Sequence, residues 1–381
     1  MLTWCGYALG AAALVYGIIA CLAVRMQLRA ARAAAGAARR DMPAATVLKP
    51  LCGAETETYD CLRSFCDQEY PTFQVIFGVA DPNDPVIAIA RRLQREFPQR
   101  DLRLVIDGRQ HGSSRKVSNL VNMMAYANHD YIVLSDSDVR VRSDYLAKVV
   151  APLLESDVGI VTCPYRGVSR GGLWSRLESM FINEWFMPSV RVAAAAGSRA
   201  FAFGASIALR RDVLSQIGGF MSIVDQLADD YRLGELTRGR GLLTVLSDVV
   251  VEIAVAQRSF QELIGHELRW LRTIRMLRPA GYSFSFVTFT IPVALIAACL
   301  SRGAPAALIM LAIAALARFL LHLQTRQAGA TAAQLFIVPF RDMLSLSLWA
   351  VSFRNRRVRW RDDHFEVTPD GSVELVVRGT P

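Results

Sequence analysis

Residues 2–24 carry no charged side chain, and Arg25, Arg29, Arg32, Arg39 and Arg40 follow in close succession. A run of this length crosses the hydrocarbon core of a bilayer only as an α-helix, because lipid offers no partner to free backbone N–H and C=O groups. The basic residues lie after the run, so the positive-inside tendency puts the amino terminus outside and the following chain in the cytosol. A cleaved signal peptide would carry its charges ahead of a shorter apolar core, so residues 1–26 read as a retained anchor. Residues 27–45 form a basic juxtamembrane segment, readable as a helix along the headgroups or as a linker.

Three further apolar stretches lie toward the other end. Residues 284–300 and 304–321 are separated by a loop with room only for a hairpin, and residues 334–351 are interrupted by Arg341 and Asp342. Two crossings return the chain to the side it left, whereas a third would carry the basic tail at 354–361 outside. Residues 334–351 are therefore expected to be re-entrant or interfacial. Ahead of them, residues 261–276 make an amphipathic helix with Arg269, Arg272 and Arg275 three apart, the pattern of a helix lying at the interface.

Hydrophobic residues make up 52% of the chain, which is too many for a simple soluble enzyme. The formal charge of +9 gathers beside apolar runs and is not interleaved with aromatics. Anionic membrane lipid is the partner this implies, and no nucleic acid is expected. The seven cysteines include no C-x-x-C pair and the five histidines lack ligand spacing, so reduced thiols on a cytosolic catalytic face are expected, and no zinc site.

From residue 46 the texture is that of an α/β domain. Strands are predicted at 47–51, 73–80, 102–106, 131–134, 158–163, 200–209 and 242–251. Helices fall between them at 57–68, 86–97, 144–154, 174–190, 210–217 and 232–238, with one more running to residue 127. Strand, helix and strand at this spacing form parallel crossover units. Residues 365–376 alternate around Asp370-Gly371, which predicts a terminal hairpin.

The strand at 131–134 is apolar throughout and runs into Ser135-Asp136-Ser137-Asp138. Strand ends of such sheets are where ligands bind, and two carboxylates one residue apart suit a hard cation bridging to a diphosphate. A turn with a helix cap explains the same triplet. Asp81 stands where the second strand stops, fit for a ribose or base edge or for turn chemistry. Lys116 follows the small-residue loop Gly112-Ser113-Ser114 at a helix start, a place for a phosphate. Asp229 and Asp230 open a later helix, as caps or with one of them as a general base. Met180, Phe181, Trp185, Phe186 and Met187 form an aromatic and methionine stripe, readable as core or as the wall for an apolar acceptor. Gly204 marks a point where backbone approaches a ligand.

Asp81, Asp136-x-Asp138, Asp229-Asp230 and His266-x-x-Arg269-Trp270 occur in an order that resembles the family 2 and family 21 inverting glycosyltransferases, and within them the ceramide glucosyltransferase-like branch. Lys116-Val117-x-Asn119-Leu120 and Ala228-Asp229-Asp230-Tyr231 are similar to that branch as well, and the likeness covers residues 46–282. The Ala/Arg-rich texture and the layout resemble the hopanoid-biosynthesis-associated members in particular.

The resemblance implies a GT-A domain, an α/β fold with a Rossmann-like mixed sheet, carried on an amino-terminal membrane helix and a carboxy-terminal membrane region. It implies that Asp81 contacts uridine, Lys116 the nucleotide or diphosphate, and Asp136 and Asp138 a Mg²⁺ or Mn²⁺ ion. Asp230 would be the general base, and His266, Arg269 and Trp270 would close over the diphosphate. His266 departs from the family, which usually has Gln or Arg there, and Asp138 is often not acidic in the ceramide branch.

The implied reaction moves one sugar from a UDP-sugar to a lipid hydroxyl at the inner membrane of a bacterium. UDP-N-acetylglucosamine and bacteriohopanetetrol are the favoured pair, and UDP-glucose with ceramide the alternative. A processive polysaccharide synthase would need more spans, and a non-catalytic lipid-binding protein would not need the acids. The expected organisation is an anchor at 1–26, a basic segment at 27–45, the catalytic domain at 46–260, an interfacial helix at 261–283, a membrane region at 284–353 and a basic tail at 354–381. The oligomeric state is left open.

Overall fold

The computed structural model describes residues 1–33, 42–326, 335–354, 357–360, 363–367 and 373–377. Arg39, Arg40 and the Asp370-Gly371 turn lie outside the described residues.

The chain opens with α1 (Leu2–Ala33) and enters the α/β domain at β1 (Ala45–Leu51). There follow α2 (Thr58–Cys66), β2 (Phe73–Val79), α3 (Val86–Glu96), β3 (Asp101–Ile106), α4 (Arg115–Met124) and β4 (Tyr131–Leu134). Strands β1, β2 and β4 are buried along almost their whole length, as continuous apolar runs flanked by helices require. They pair in parallel in the order β3-β2-β1-β4, the crossover pattern their spacing predicts.

Beyond β4 come β5 (Val139–Arg140), α5 (Tyr145–Val150), β6 (Val158–Thr162) and β7 (Tyr165–Ser169). Next are α6 (Leu173–Phe181), a π-turn (Ile182–Phe186), α7 (Met187–Ala195), β8 (Ile207–Arg210), α8 (Arg211–Gln216), α9 (Asp229–Gly239), β9 (Leu243–Leu246) and β10 (Val251–Val255). Strand β8 inserts antiparallel between β4 and β6, which makes the seven-stranded sheet mixed. A second sheet, β5-β10-β7, lies beside it.

Three sequence expectations are corrected here. Residues 200–209 are not one strand: only Ile207–Arg210 pairs, and the stretch before it is held by side chains. Phe203 N–H donates to Thr162 Oγ1 at 2.8 Å, and the Phe201 and Phe203 rings stack at 5.7 Å. The stretch at 242–251 divides into β9 and the start of β10, because Ser247 turns the chain between them, its N–H bonded to the Thr162 carbonyl. The helix at 174–190 is interrupted by the π-turn and runs on to Ala195.

Helix α10 (Phe260–Leu277) leads to α11 (Pro279–Phe284), α12 (Thr290–Leu300), α13 (Pro305–Thr325) and α14 (Ile337–Ser352). Among the described residues, α1 (over Leu2–Met26) and α13 are by length and composition long and apolar enough to cross a membrane, and the pair Pro279–Thr288 and Thr290–Leu300, bent by 76°, makes a third candidate if it counts as one span. The sequence expectation for residues 334–351 is a re-entrant or interfacial segment; Ile337–Ser352 forms one continuous helix, α14, and the bent helix pair turns at Phe289. A Cβ on Gly6 would come 2.8 Å from the Ala297 carbonyl, and one on Gly10 3.2 Å from Met310 Sδ, so these small residues let α1 pack closely on α12 and α13.

Arg341 and Asp342 are buried against protein. Arg341 makes a two-pronged bond to Glu267 of α10 at 2.7 and 2.6 Å, and Asp342 accepts from Arg318 of α13 at 2.9 Å. Glu184 of the π-turn completes the second group, bonded to Arg318 at 2.8 Å and His322 at 2.8 Å. The charges that interrupt the apolar stretch therefore tie α13 and α14 to α10 and the π-turn. The described tail residues form an antiparallel sheet of β11 (Arg357–Trp360), β12 (Asp363–Val367) and β13 (Val373–Val377), one strand more than the predicted hairpin.

Candidate active site

All eight residues singled out from the sequence line one open cleft of about 2080 Å³: Asp81, Lys116, Asp136, Asp138, Asp230, His266, Arg269 and Trp270. Asp81, Asp136 and Asp138 follow the carboxyl ends of β2 and β4, Lys116 and Asp230 lie in the first turns of α4 and α9, and the last three come from α10.

Asp136 and Asp138 leave β4 in a loop whose first residue is tied to β1, Ser135 N–H donating to the Leu48 carbonyl at 3.1 Å. Burial, and then the neighbouring Asp136, push the Asp138 carboxyl up to about 6. Lys116 does not point alone into the cleft. Its Nζ lies 2.8 Å from Asp136 and 3.2 Å from Asp229. Burial opposes its charge, but those two carboxylates outweigh it and hold Lys116 above the usual lysine range. Asn119, one turn on, is buried and donates to the Gly78 carbonyl at 2.8 Å, which fixes α4 to β2.

Neither acid at the start of α9 caps the helix in the ordinary way. Asp229 turns to Lys116, a partner that no local pattern in the chain reveals. Asp230 accepts from Gly204 N–H and Tyr231 N–H, each at 2.7 Å. A Cβ at Gly204 would lie 3.3 Å from both Asp230 Oδ2 and Lys116 Nζ, so a side chain there would press on the site. Burial, with the charge of Asp229 second, raises the Asp230 carboxyl to about 6. A buried carboxylate with a raised pKa, in reach of a cleft, can take a proton near neutral pH.

On the opposite wall, His266 Nδ1 bonds Glu178, a buried acid of α6. Trp270 stands within 6.2 Å of the Tyr165, Phe181 and Phe186 rings, and His266 lies 5.2 Å from it. Burial depresses the Arg269 guanidinium, which nonetheless feels Glu178, Asp136 and Asp230. Asp81 is exposed at the rim, its Oδ1 accepting from Asn83 N–H at 2.8 Å, while nearby Asp84 is buried and binds Gly53 N–H at 2.8 Å.

Lys49 was also missed. It is fully buried on β1, where a strand lysine reads as a solvated edge residue, and burial pushes its ammonium down to about 8.

Among the described residues no group of three or more His, Cys, Asp or Glu side chains could hold a metal ion. Asp136 and Asp138 still fit a hard divalent ion of the kind that takes one or two protein carboxylates and completes its shell with phosphate oxygens and water.

A mixed sheet carrying acids at its strand ends, opposed by a basic aromatic helix, defines a GT-A glycosyltransferase fold. A mannosyltransferase from Pyrobaculum calidifontis, solved with GDP-Man and Mn²⁺, superposes with a TM-score of 0.54 at 20% identity, over 93% of this chain and 98% of that one. The chain belongs to glycosyl transferase family 21, whose model matches residues 7–373. Ceramide glucosyltransferase 3 of Caenorhabditis elegans is 22% identical over 234 residues, 61% of this chain and 50% of that protein. Ceramide glucosyltransferase of Komagataella phaffii is 36% identical over 116 residues, 29% of this chain and 23% of the yeast protein. The chain spans half the length of the nematode relative it matches.

Proposed function

We propose that the protein transfers a single sugar from a UDP-sugar to a hydroxyl of a membrane lipid, with inversion at the anomeric carbon. The observation that carries this reading is the continuity of the cleft. The cleft lined by Asp136, Lys116 and Asp230 is also lined by Trp185, Phe186 and Val190, and by Ile274, Leu277 and Thr288, the last of them in the bent helix pair. A polar donor end and an apolar end reaching the membrane helices suit a water-soluble donor and a lipid acceptor meeting at one point.

In this reading Asp230 takes the proton from the acceptor hydroxyl. The freed oxygen bonds to the anomeric carbon from the face opposite UDP, the bond from that carbon to the β-phosphate oxygen breaks, and its electron pair leaves on UDP. Mg²⁺ or Mn²⁺ held by Asp136 and Asp138 would supply positive charge to the departing diphosphate. Lys116 and Arg269 bring fixed positive charge to the same region, and His266 and Trp270 form the wall beside it. Asp81, at the rim, suits the uridine.

UDP-N-acetylglucosamine and bacteriohopanetetrol remain the favoured pair, on the resemblance of layout. Ceramide with UDP-glucose is the second reading, and the ceramide glucosyltransferase relatives favour it. A bacterial inner membrane with the cleft on the cytosolic side is part of the same reading, and the arginines that follow the apolar run of α1 support that orientation. Purified protein is incubated with radiolabelled UDP-N-acetylglucosamine or UDP-glucose and with a polyhydroxylated hopanoid or ceramide. Label is expected in the organic phase, highest for UDP-N-acetylglucosamine with the hopanoid. Label confined to the aqueous phase in all four pairings would end the proposal.

A further inference from the structure

We infer that Lys49 is a positioning residue that ties the Asp136–Asp138 loop to the stretch carrying Gly204, and through it to Asp230. The inference rests on the reading of the donor site above. Burying an ammonium is costly unless its donors are satisfied, and Lys49 has no exposed surface at all. Its Nζ donates to the Asp136 carbonyl and, at 3.4 Å, to Ser135 Oγ, and lies 3.8 Å from the centroid of the Phe65 ring. The two hydrogen-bonded partners are uncharged, so the charge is not spent on a contact ion pair.

The chain of bonds continues. Ser135 Oγ donates to the Ala205 carbonyl at 2.8 Å, and the N–H of the preceding residue, Gly204, donates to Asp230 Oδ2 at 2.7 Å. Strand β1, the loop after β4, the stretch at 200–206 and helix α9 are thus linked by one line of hydrogen bonds. Stretch 200–206 is the part of this line that lacks a sheet ladder of its own, so the line sets the spacing between the acid pair and Asp230. A lysine that merely filled space would need neither its two donor contacts nor the hydroxyl that passes them on.

The test uses full-length protein in detergent, with Lys49→Met, Lys49→Gln, Ser135→Ala and, as a control on the donor site, Asp136→Asn. Manganese-dependent UDP binding is measured by calorimetry and turnover by transfer of label to lipid. Lys49→Met is expected to weaken UDP binding about tenfold, the scale of a lost charge-assisted hydrogen bond, and to lower kcat about 100-fold, the scale of a misplaced reacting group. Lys49→Gln keeps a donor and should recover part of both, which also covers the case in which Lys49→Met does not fold. Ser135→Ala cuts only the link onward to Ala205, so kcat should fall about tenfold while UDP affinity stays within about threefold. Lys49→Gln and Ser135→Ala within about twofold of the parent in both readouts, with Asp136→Asn impaired, would overturn the role of Lys49 alone. If Asp136→Asn also bound and turned over normally, the reading of the donor site itself would fall.

Discussion

Asp230→Asn is expected to abolish transfer under the proposed function, lowering turnover by about 10³ to 10⁴ while UDP-sugar affinity stays within a few-fold. The amide matches the carboxylate in shape, so one of its atoms still accepts from Gly204 N–H, a bond of 2.7 Å in the parent. It cannot take the acceptor's proton. Equal losses of binding and turnover would mean that Asp230 serves the donor and is not the base. The pH dependence carries the same signature. The base works ionised, and burial with the neighbouring Asp229 raises its carboxyl to about 6, so kcat/KM should rise with pH through that value. Stability should move the other way. A carboxyl whose pKa is higher folded than unfolded stabilises the fold below the unfolded value, and that contribution is lost as pH rises through about 6.

Arg341→Met is the second large effect, and it acts on the fold. Arg341 and Glu267 are each 1% exposed, and the arginine also donates to Ser345 Oγ at 2.8 Å and the Leu177 carbonyl at 3.3 Å. Removing it leaves the Glu267 carboxylate buried without its cation, at a cost of about 3–5 kcal/mol, or a fall in Tm on the order of 10 °C. The paired change Glu267→Met with Arg341→Met removes both charges and should regain most of that loss. Thermal unfolding in detergent measures both. A single variant as stable as the parent would show that the pair does not hold α14 to α10. Because Glu267 lies between His266 and Arg269, the single variant should also disturb the basic wall of the cleft before the protein unfolds.

The strands were legible wherever they are apolar and paired along their length, as at β1, β2 and β4. The alternation Phe201-Ala202-Phe203 imitates a strand, but Phe203 N–H donates to Thr162 and the next N–H, of Gly204, to Asp230, partners that a local pattern does not reveal. All eight candidate residues were legible through their order along the chain, and they share one cleft. Their cross-connections were not. Lys116 meets Asp229 from more than a hundred residues away, and the partners of Arg341 and Asp342 lie 74 and 24 residues off. The sequence showed that Arg341 and Asp342 interrupt an apolar stretch, but not that both are buried against partners on α10 and α13. Lys49 was hidden for a related reason: a lysine is fully buried only where tertiary structure supplies its acceptors.

The most direct measurement is the anomeric configuration of the lipid product. Purified protein receives an α-linked UDP-sugar, a divalent cation and the acceptor lipid, and proton NMR follows the anomeric signal of the transferred sugar. A single displacement driven by Asp230 predicts a β-linked glycolipid and free UDP in equal amounts. An α-linked product, or UDP released with the sugar appearing only in water, would contradict it.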